Sequence, residues 1–307
     1  MKKELNSPMK INSISHLHEL LGFPKPVHPL ISLNLNANMI VDAELLNQQF
    51  LFNFYKISYK KTWRGKMGYG QGYYDFDEGG MIFTAPNQLL STSQDDMEYE
   101  GLSLLIHPDF IRNYALATKI KSFGFFSYAA NEALFLSDKE KQMIFAVFDS
   151  IQTELNGTID DFSHDVIISH IEVLLNYSNR FYKRQFITRK AVNNDLLTKV
   201  ELLLSEYFDK EYGLNKGLPT VDYLANQLNL SPRYLSDMLR SIDGQNAQQH
   251  IHEKLIEKAR EYLTATDLSV AEIAYQLGFG HPQSFNKLFK NKTNQTPVAF
   301  KLAFRHN

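Results

Sequence analysis

The stretch that decides the fold lies in the last third of the chain. Residues 220–240 read TVDYLANQLNLSPRYLSDMLR, and residues 269–290 read SVAEIAYQLGFGHPQSFNKLFK. Aligning Ala225 with Ala274, and Leu228 with Leu277, gives a period of 49 residues. A fixed period of this length indicates two copies of one supersecondary unit.

The first copy predicts two short helices joined by a tight turn. One buried helical face is predicted by four apolar residues at helical spacing, Val221, Leu224, Ala225 and Leu228. Ser231 suits the N-cap of the next helix, and Pro232 suits its first position. Leu235 and Leu239 then point inward, four residues apart. The opposite face of this helix carries Arg233, Ser236, Asp237 and Arg240.

The second copy follows the same logic. Its packing residues are Val270, Ile273, Ala274, Leu277, Phe279, Phe285, Leu288 and Phe289, and Gly278 makes the turn. Its outward face carries Gln283, Asn286, Lys287 and Lys290. A helix laid in the major groove of DNA would present both polar sets to base edges and phosphates.

The chemistry of these side chains suits DNA. Arginine pairs bidentately with guanine, glutamine and asparagine pair bidentately with adenine, and lysine takes guanine or a phosphate oxygen. Asp237 leaves two alternatives open, because a carboxylate can accept from cytosine N4 or can lie to one side of the contact. The second face is therefore predicted to be the stronger reader.

A connecting helix is predicted between the two copies, from Asn246 to Leu263. At 1.5 Å per residue, its 18 residues span about 27 Å. One turn of DNA measures roughly 34 Å. The two outward faces could therefore enter successive major grooves.

The first half of the chain predicts a β-rich domain with helices after it. Short apolar runs alternate with turn-forming residues over about 30–108, and helical patterns occupy about 135–183. Ser137 and Glu140 form a plausible capping box, and a second helix is predicted from Asp165 to Phe181. The broad apolar stripe of that second helix leaves open a homodimer contact in addition to core packing.

The predicted fold class is α+β, with three segments along the chain. Residues 1–183 form an N-terminal domain, residues 184–194 form a polar, basic linker, and residues 195–307 form an all-α domain of two helix-turn-helix units and a linker helix. The length of 307 residues is sufficient for two domains.

Composition and charge agree with this division. The first 180 residues hold 15 Lys/Arg against 21 Asp/Glu, and the rest hold 17 against 13. No cysteine is present, which excludes disulfides and thiolate chemistry. No run reaches the ~18 apolar residues that a membrane span needs. We expect a cytoplasmic protein without a membrane partner.

Residues 220–305 resemble the DNA-binding domain of AraC/XylS-type transcription regulators. The resemblance is most specific in IAYQLGFGHPQSFNKLFK and in the following Thr296, Pro297, Val298, Ala299 and Phe300. It implies a bacterial, sequence-specific regulator, usually an activator that recruits RNA polymerase to double-stranded DNA. The residues that match the family's two reading helices are Arg233, Ser236, Asp237 and Arg240 in the first, and Gln283, Asn286 and Lys287 in the second. Asn294 and Gln295 stand where the family commonly has glycine before Thr-Pro.

The β-rich half is similar, in organisation only, to the cupin-like β-barrel or sandwich of such regulators. In the family this domain binds a small-molecule effector or mediates dimerisation. No effector-binding residue can be transferred, because no motif matches at residue level.

Two other functional interpretations compete with that of a transcription regulator. A catalytic metal cupin would need a His-x-His pair with a further Glu and His on adjoining strands. The pair His16 and His18 precedes the sheet, and the pair His250 and His252 falls in the connecting helix, so we expect surface histidines, no metal, no cofactor and no catalysis. The helical domain could alternatively be a protein-interaction module.

Overall fold

The computed structural model describes residues 8–35, 49–61, 67–69, 72–74, 79–91, 101–129, 132–157, 160–188 and 190–305. The chain divides into two compact units, Met1–Gln185 and Phe186–Asn307. Among the described helices, none combines the length and the apolar composition needed to cross a bilayer.

The first unit contains the strands. They are β1 (Met9–Ile11), β2 (Ile31–Leu35), β3 (Gln49–Phe52), β4 (Tyr55–Lys60), β5 (Met67–Tyr69), β6 (Gly72–Tyr74), β7 (Gly80–Thr84), β8 (Leu89–Ser91), β9 (Gly101–Ile106) and β10 (Leu134–Phe135). The largest described sheet is antiparallel, with the order β10-β7-β4-β9-β2. At its centre Ile57 pairs with Phe83 on one side and with Leu104 on the other. All three side chains are buried.

A second sheet packs on the first. Its order is β1-β3-β8, with β1 parallel to β3. Phe50, Phe52 and Phe54 cluster there with Leu105 of β9, which belongs to the larger sheet. A two-stranded sheet joins β5 to β6. The predicted α+β class is confirmed, whereas the closure of these sheets into a cupin-like barrel stays a prediction.

The helices of the first unit follow the sheets, apart from α1 (Ile14–Leu20), α2 (Pro108–Ile111) and α3 (Leu116–Lys119). The long helices are α4 (Asp138–Asn156) and α5 (Ser163–Thr188). The capping box predicted from Ser137 and Glu140 is present. Glu140 also accepts from Arg184 of α5, at 3.0 Å to Nε and 2.6 Å to Nη2. A forked, charge-assisted pair of this kind fixes α4 against α5.

The segment predicted as a linker, 184–194, differs from that interpretation. α5 extends to Thr188, well past its predicted end, and α6 (Lys190–Asp209) begins at once. Lysine, arginine and glutamine are good helix formers, so a polar, basic composition does not by itself end a helix. The domain boundaries proposed from the sequence stay predictions.

The described residues of the second unit form helices and the turns between them. After α6 come α7 (Tyr212–Lys216), α8 (Val221–Leu228), α9 (Pro232–Asp243), α10 (Ala247–Ala265), α11 (Val270–Gln276), α12 (Pro282–Thr293) and α13 (Pro297–Arg305). One core gathers Phe208 of α6, Leu255 of α10, Ile273 of α11 and Phe285 of α12. These buried side chains join four helices into a single hydrophobic cluster.

The two copies of the repeat keep different spacings. The first helices begin at Val221 and Val270, 49 residues apart, whereas the second helices begin at Pro232 and Pro282, 50 residues apart. The distance from the start of the first helix to the start of the second is therefore one residue longer in the second copy. Gly278 lies in that turn with φ +97°, in the left-handed region that favours glycine.

We predict that Gly278→Ala destabilises the second unit. A Cβ at this position would lie 2.5 Å from the carbonyl oxygen of Gly217 and would also demand a strained φ. The expected loss in the free energy of unfolding is about 1–3 kcal/mol, measured by urea denaturation of the full chain. Gly280→Ala is the matched control, because a Cβ there meets nothing within 4 Å. Equal stability of the two variants would contradict this reading.

Candidate nucleic-acid interface

Helix α9, which carries the first predicted set of DNA-contacting residues, begins where its sequence predicts. The Ser231 hydroxyl accepts from the amide of Tyr234 at 3.3 Å, and Pro232 occupies the first helical turn. Before it, α8 is capped by Asn229, whose φ of 54° places it in the left-handed region. Asparagine tolerates that conformation better than most residues, so it can close a helix and turn the chain.

The inner face of α9 is deeply buried. The residues of that face are Tyr234, Leu235, Met238 and Leu239. The ring of Phe186 meets the ring of Tyr234 edge-on, with centroids 5.2 Å apart. Burial also raises the pKa of the Tyr234 phenol, which keeps this side chain neutral in the core. The rotation of α9 about its own axis is therefore fixed.

The outer face of α9 holds the four predicted residues. Arg233 and Arg240 are exposed, while Ser236 and Asp237 are half-buried. Asp237 accepts from Arg233 Nε at 2.9 Å and from Arg240 Nη1 at 2.9 Å. The carboxylate thus lies between the two guanidinium groups.

The second copy is built in the same way with different caps. Ser269 and Glu272 form a reciprocal capping box at the start of α11. The hydrogen bonds from Ser269 lower the pKa of the Glu272 carboxyl. α12 begins at Pro282 after His281, whose side chain makes no cap bond. Phe285 and Phe289 are fully buried, and Phe279 packs against Phe285.

The outer face of α12 is open. Gln283, Asn286, Lys287 and Lys290 are all exposed. Within the described part of the chain, neither Lys287 nor Lys290 forms an ion pair with a carboxylate. These side chains keep their donors and acceptors available for another molecule.

The eight predicted residues fall into four equivalent pairs. At the offset of 50 residues that separates α9 from α12, the pairs are Arg233 with Gln283, Ser236 with Asn286, Asp237 with Lys287, and Arg240 with Lys290. The structure therefore brings each set together on the same side of its helix. That these residues contact DNA stays a prediction.

A further basic residue escaped the sequence reasoning. Lys292 is exposed near the end of α12. Burial, and then the charge of Lys292, lower the pKa of His252 on α10. The sequence does carry a signal for this basic surface, because residues 273–307 contain five Lys/Arg and no Asp/Glu. The Asp, Glu, Lys and Arg positions of this stretch are therefore all basic.

The connecting helix α10 lies between the two copies of the repeat along the chain. Asn246 and Gln249 form a capping box at its start. Ile251, Leu255 and Ala259 are buried along one side. Its 19 residues rise about 28 Å.

The first pair of histidines considered as metal ligands lies in α1. His16 is exposed, but His18 is buried, so the prediction of a surface pair is wrong for His18. Its ring bonds to the Pro24 carbonyl at 2.5 Å and to the Ser32 hydroxyl at 2.9 Å. Such hydrogen bonds make a buried imidazole tolerable. The described residues contain no group of three or more His, Cys, Asp or Glu suited to a metal ion.

The fold and this surface define the C-terminal unit as a double helix-turn-helix module. Residues 224–303 match the family model described as a helix-turn-helix domain. The comparison confirms the resemblance seen in the sequence. The C-terminal unit is an AraC-type helix-turn-helix domain, of the kind found in DNA-binding transcription regulators.

Curated relatives agree with that assignment. The uncharacterized HTH-type transcriptional regulator YfiF of Bacillus subtilis (strain 168) is 29% identical over 143 residues, which are 47% of this chain and 42% of the relative. The HTH-type transcriptional activator RhaS of Salmonella schwarzengrund (strain CVM19633) is 30% identical over 131 residues, 42% of this chain and 45% of the relative. The chain thus spans less than half the length of these relatives.

Solved structures include a similar domain. The C-terminal domain of the two-component response regulator yesN from Fusobacterium nucleatum is 30% identical, with a TM-score of 0.29, over 33% of this chain and 96% of that chain. At this TM-score the structural likeness supports no further conclusion.

We predict that Asn286→Ala relaxes sequence preference at one base pair. Asparagine pairs bidentately with adenine, and losing such a pair costs about 1–3 kcal/mol of discrimination. The measurement is the binding affinity for duplexes that differ at single positions. Asn291→Ala on the same helix is the control, because Asn291 is exposed but outside the predicted reading set. Identical base preferences in both variants would contradict the assigned face.

Proposed function

We propose that the chain is a sequence-specific, double-stranded-DNA-binding transcription regulator that inserts α9 and α12 into successive major grooves. One observation carries this proposal: two helices with buried inner faces present polar residues at four equivalent positions. Side chains at such positions in helix-turn-helix proteins reach base edges.

The dimensions of the connecting helix support the same arrangement. α10 rises about 28 Å, and the centres of neighbouring major grooves on one face of DNA lie roughly 34 Å apart. Side chains at the outer surfaces of α9 and α12 extend the reach beyond the length of α10 itself. One chain would then read two half-sites.

We further propose that the protein is an activator that responds to a small molecule in the bacterial cytoplasm and contacts RNA polymerase. The name of the RhaS relative supports activation. The N-terminal unit would hold the effector. A cavity of about 150 Å³ lies in that unit beside His18, Lys25, Ser32 and Asn34. It is smaller than the 300–1,000 Å³ typical of ligand pockets, so it is not assigned.

A homodimer through the N-terminal helices belongs to this proposal. Phe162, Val166 and Val173 are exposed, by 71%, 38% and 40%. At about 100° per residue, Val166 and Val173 fall within roughly 20° of one another around α5, and Phe162 directly precedes the helix. An exposed apolar line of this kind is typical of a protein interface.

Two alternatives remain as competing functions. A metalloenzyme would require ligands that the described residues do not group together, and the relatives are named as regulators rather than enzymes. We therefore propose a protein without catalytic activity. A protein-interaction module would use the same helical fold, and the salt dependence of binding separates it from a DNA reader.

The direct test is selection of bound DNA from a random pool, with and without candidate metabolites. A regulator enriches one sequence, and an effector changes the amount retained. Failure to enrich any sequence would contradict the proposed function.

We predict that Lys287→Ala weakens binding to the selected site and makes it less salt-dependent. Removing one phosphate or base contact should reduce the slope of log affinity against log salt by about one. Fluorescence anisotropy at several salt concentrations measures both quantities. Lys139→Ala is the control, because Lys139 is an exposed lysine of α4 in the first unit. Equal effects of the two substitutions would count against the α12 face.

We predict that Val173→Asp disrupts self-association. A charge placed in an apolar contact is strongly unfavourable, so the variant should sediment as a monomer where the wild type is dimeric. Val298→Asp controls for adding a charge elsewhere, because Val298 is 54% exposed on α13. A monomeric wild type, or an unchanged dimer in the variant, would refute the α5 contact.

A further inference from the structure

Asp237 differs from the residue at the equivalent position of the second copy. That position in α12 is Lys287. A carboxylate on a surface that approaches phosphates is electrostatically unfavourable. The contacts of Asp237 therefore decide what a carboxylate can do among the predicted DNA-contacting residues.

The carboxylate of Asp237 accepts hydrogen bonds from two arginines. Its Oδ2 accepts from Arg233 Nε, and its Oδ1 accepts from Arg240 Nη1, each at 2.9 Å. The Asp237 side chain is only 17% exposed, whereas each arginine side chain is 49% exposed. The spacings are four and three residues along one helix. Such contacts form within α9 itself.

The arginines keep enough donors to read DNA. A guanidinium carries five N–H donors, and a guanine takes two at O6 and N7. The hydrogen bonds to Asp237 occupy one nitrogen of each guanidinium.

We propose that Asp237 is a positioning residue that holds Arg233 and Arg240 in the orientation in which they read base edges. The inference rests on the proposed DNA-binding function. A long, exposed arginine loses rotamer freedom on binding, and a partner that orders it beforehand reduces that loss. Ordered guanidinium groups favour the matching bases over any phosphate that a mobile arginine could reach.

The charge of Asp237 acts in the same direction. Together the three side chains carry one net positive charge instead of two. Sequence-independent binding depends on the number of phosphates neutralised, so the carboxylate lowers it. Asp237 therefore raises specificity without maximising total affinity.

The test compares variants of the full chain on two duplexes. The duplexes are the site enriched from a random pool and a scrambled sequence of the same composition. The variants are Asp237→Ala, Asp237→Asn, Arg233→Ala, Arg240→Ala and the control Glu257→Gln. Glu257 is an exposed carboxylate of α10 that pairs with Lys254, three residues away. Affinity is measured by anisotropy across salt, and base preference by repeating the selection.

For Asp237→Ala we expect the ratio of specific to scrambled affinity to fall about tenfold, a typical effect of losing a bidentate base contact. Binding to the scrambled duplex should be equal or tighter, and its salt slope steeper by about one. The base pairs that lose preference should be those lost in Arg233→Ala and Arg240→Ala. Asp237→Asn keeps one acceptor oxygen and should retain part of the preference. Glu257→Gln should leave the ratio unchanged.

Several results would overturn the inference. An unchanged ratio in Asp237→Ala would show that the arginines need no support. Loss of preference at one base pair that neither arginine variant affects would make Asp237 a direct base reader. Equal loss on both duplexes, with reduced helix content by circular dichroism, would make its role structural. A wild type without any sequence preference would instead refute the proposed function itself.

Discussion

The constraint on which the interface depends is the burial of two apolar side chains four residues apart in each reading helix. Leu235 and Leu239 anchor α9, and Phe285 and Phe289 anchor α12. Residues at this spacing lie on one side of a helix, so their burial fixes its rotation. The polar residues between them must then face outward.

The helix that precedes each reading helix makes this burial possible. Ala225 and Ala274 are fully buried at equivalent positions of α8 and α11. A small side chain allows two helix backbones to approach closely, and the larger side chains of the second helix fill the remaining space. The same packing solution serves both copies, although their core residues differ in size. The equivalent outer positions of α9 and α12 thus share their geometry but differ in residue type.

As a result, the outer faces of α9 and α12 differ in net charge. On α9 a carboxylate lies between two arginines, and the charges partly cancel. On α12 the lysines are unpaired within the described residues, and the acid-free sequence beyond residue 272 adds to their field. The outer face of α12 therefore carries the greater net positive charge of the two.

The sequence predicted the parts of this fold that depend on near neighbours. Ser231 acts as a cap and Gly278 as a turn because the Ser231 side chain, and the lack of one at Gly278, act within a few residues. Asn294, in the place of the family's glycine, has the left-handed φ of 58° expected of it. Such effects act between near neighbours in the chain, so they can be predicted from the sequence.

Features that depend on distant contacts were not predictable in the same way. His18 is buried because Ser32, 14 residues later, bonds to its ring. The linker interpretation of 184–194 overlooked that Arg184 is drawn to Glu140, 44 residues earlier, which favours continued helix through that point. The ion pairs of Asp237 depend on rotamers, which residue spacing permits but does not dictate.

The most direct measurement is methylation interference on the DNA selected by the full chain. Methylation of guanine N7 blocks contacts in the major groove, where each base pair shows a distinct pattern. The account predicts two clusters of interference whose centres lie about 10–10.5 base pairs apart, on one face of the duplex. A single cluster, or protection confined to the minor groove, would contradict the insertion of both α9 and α12.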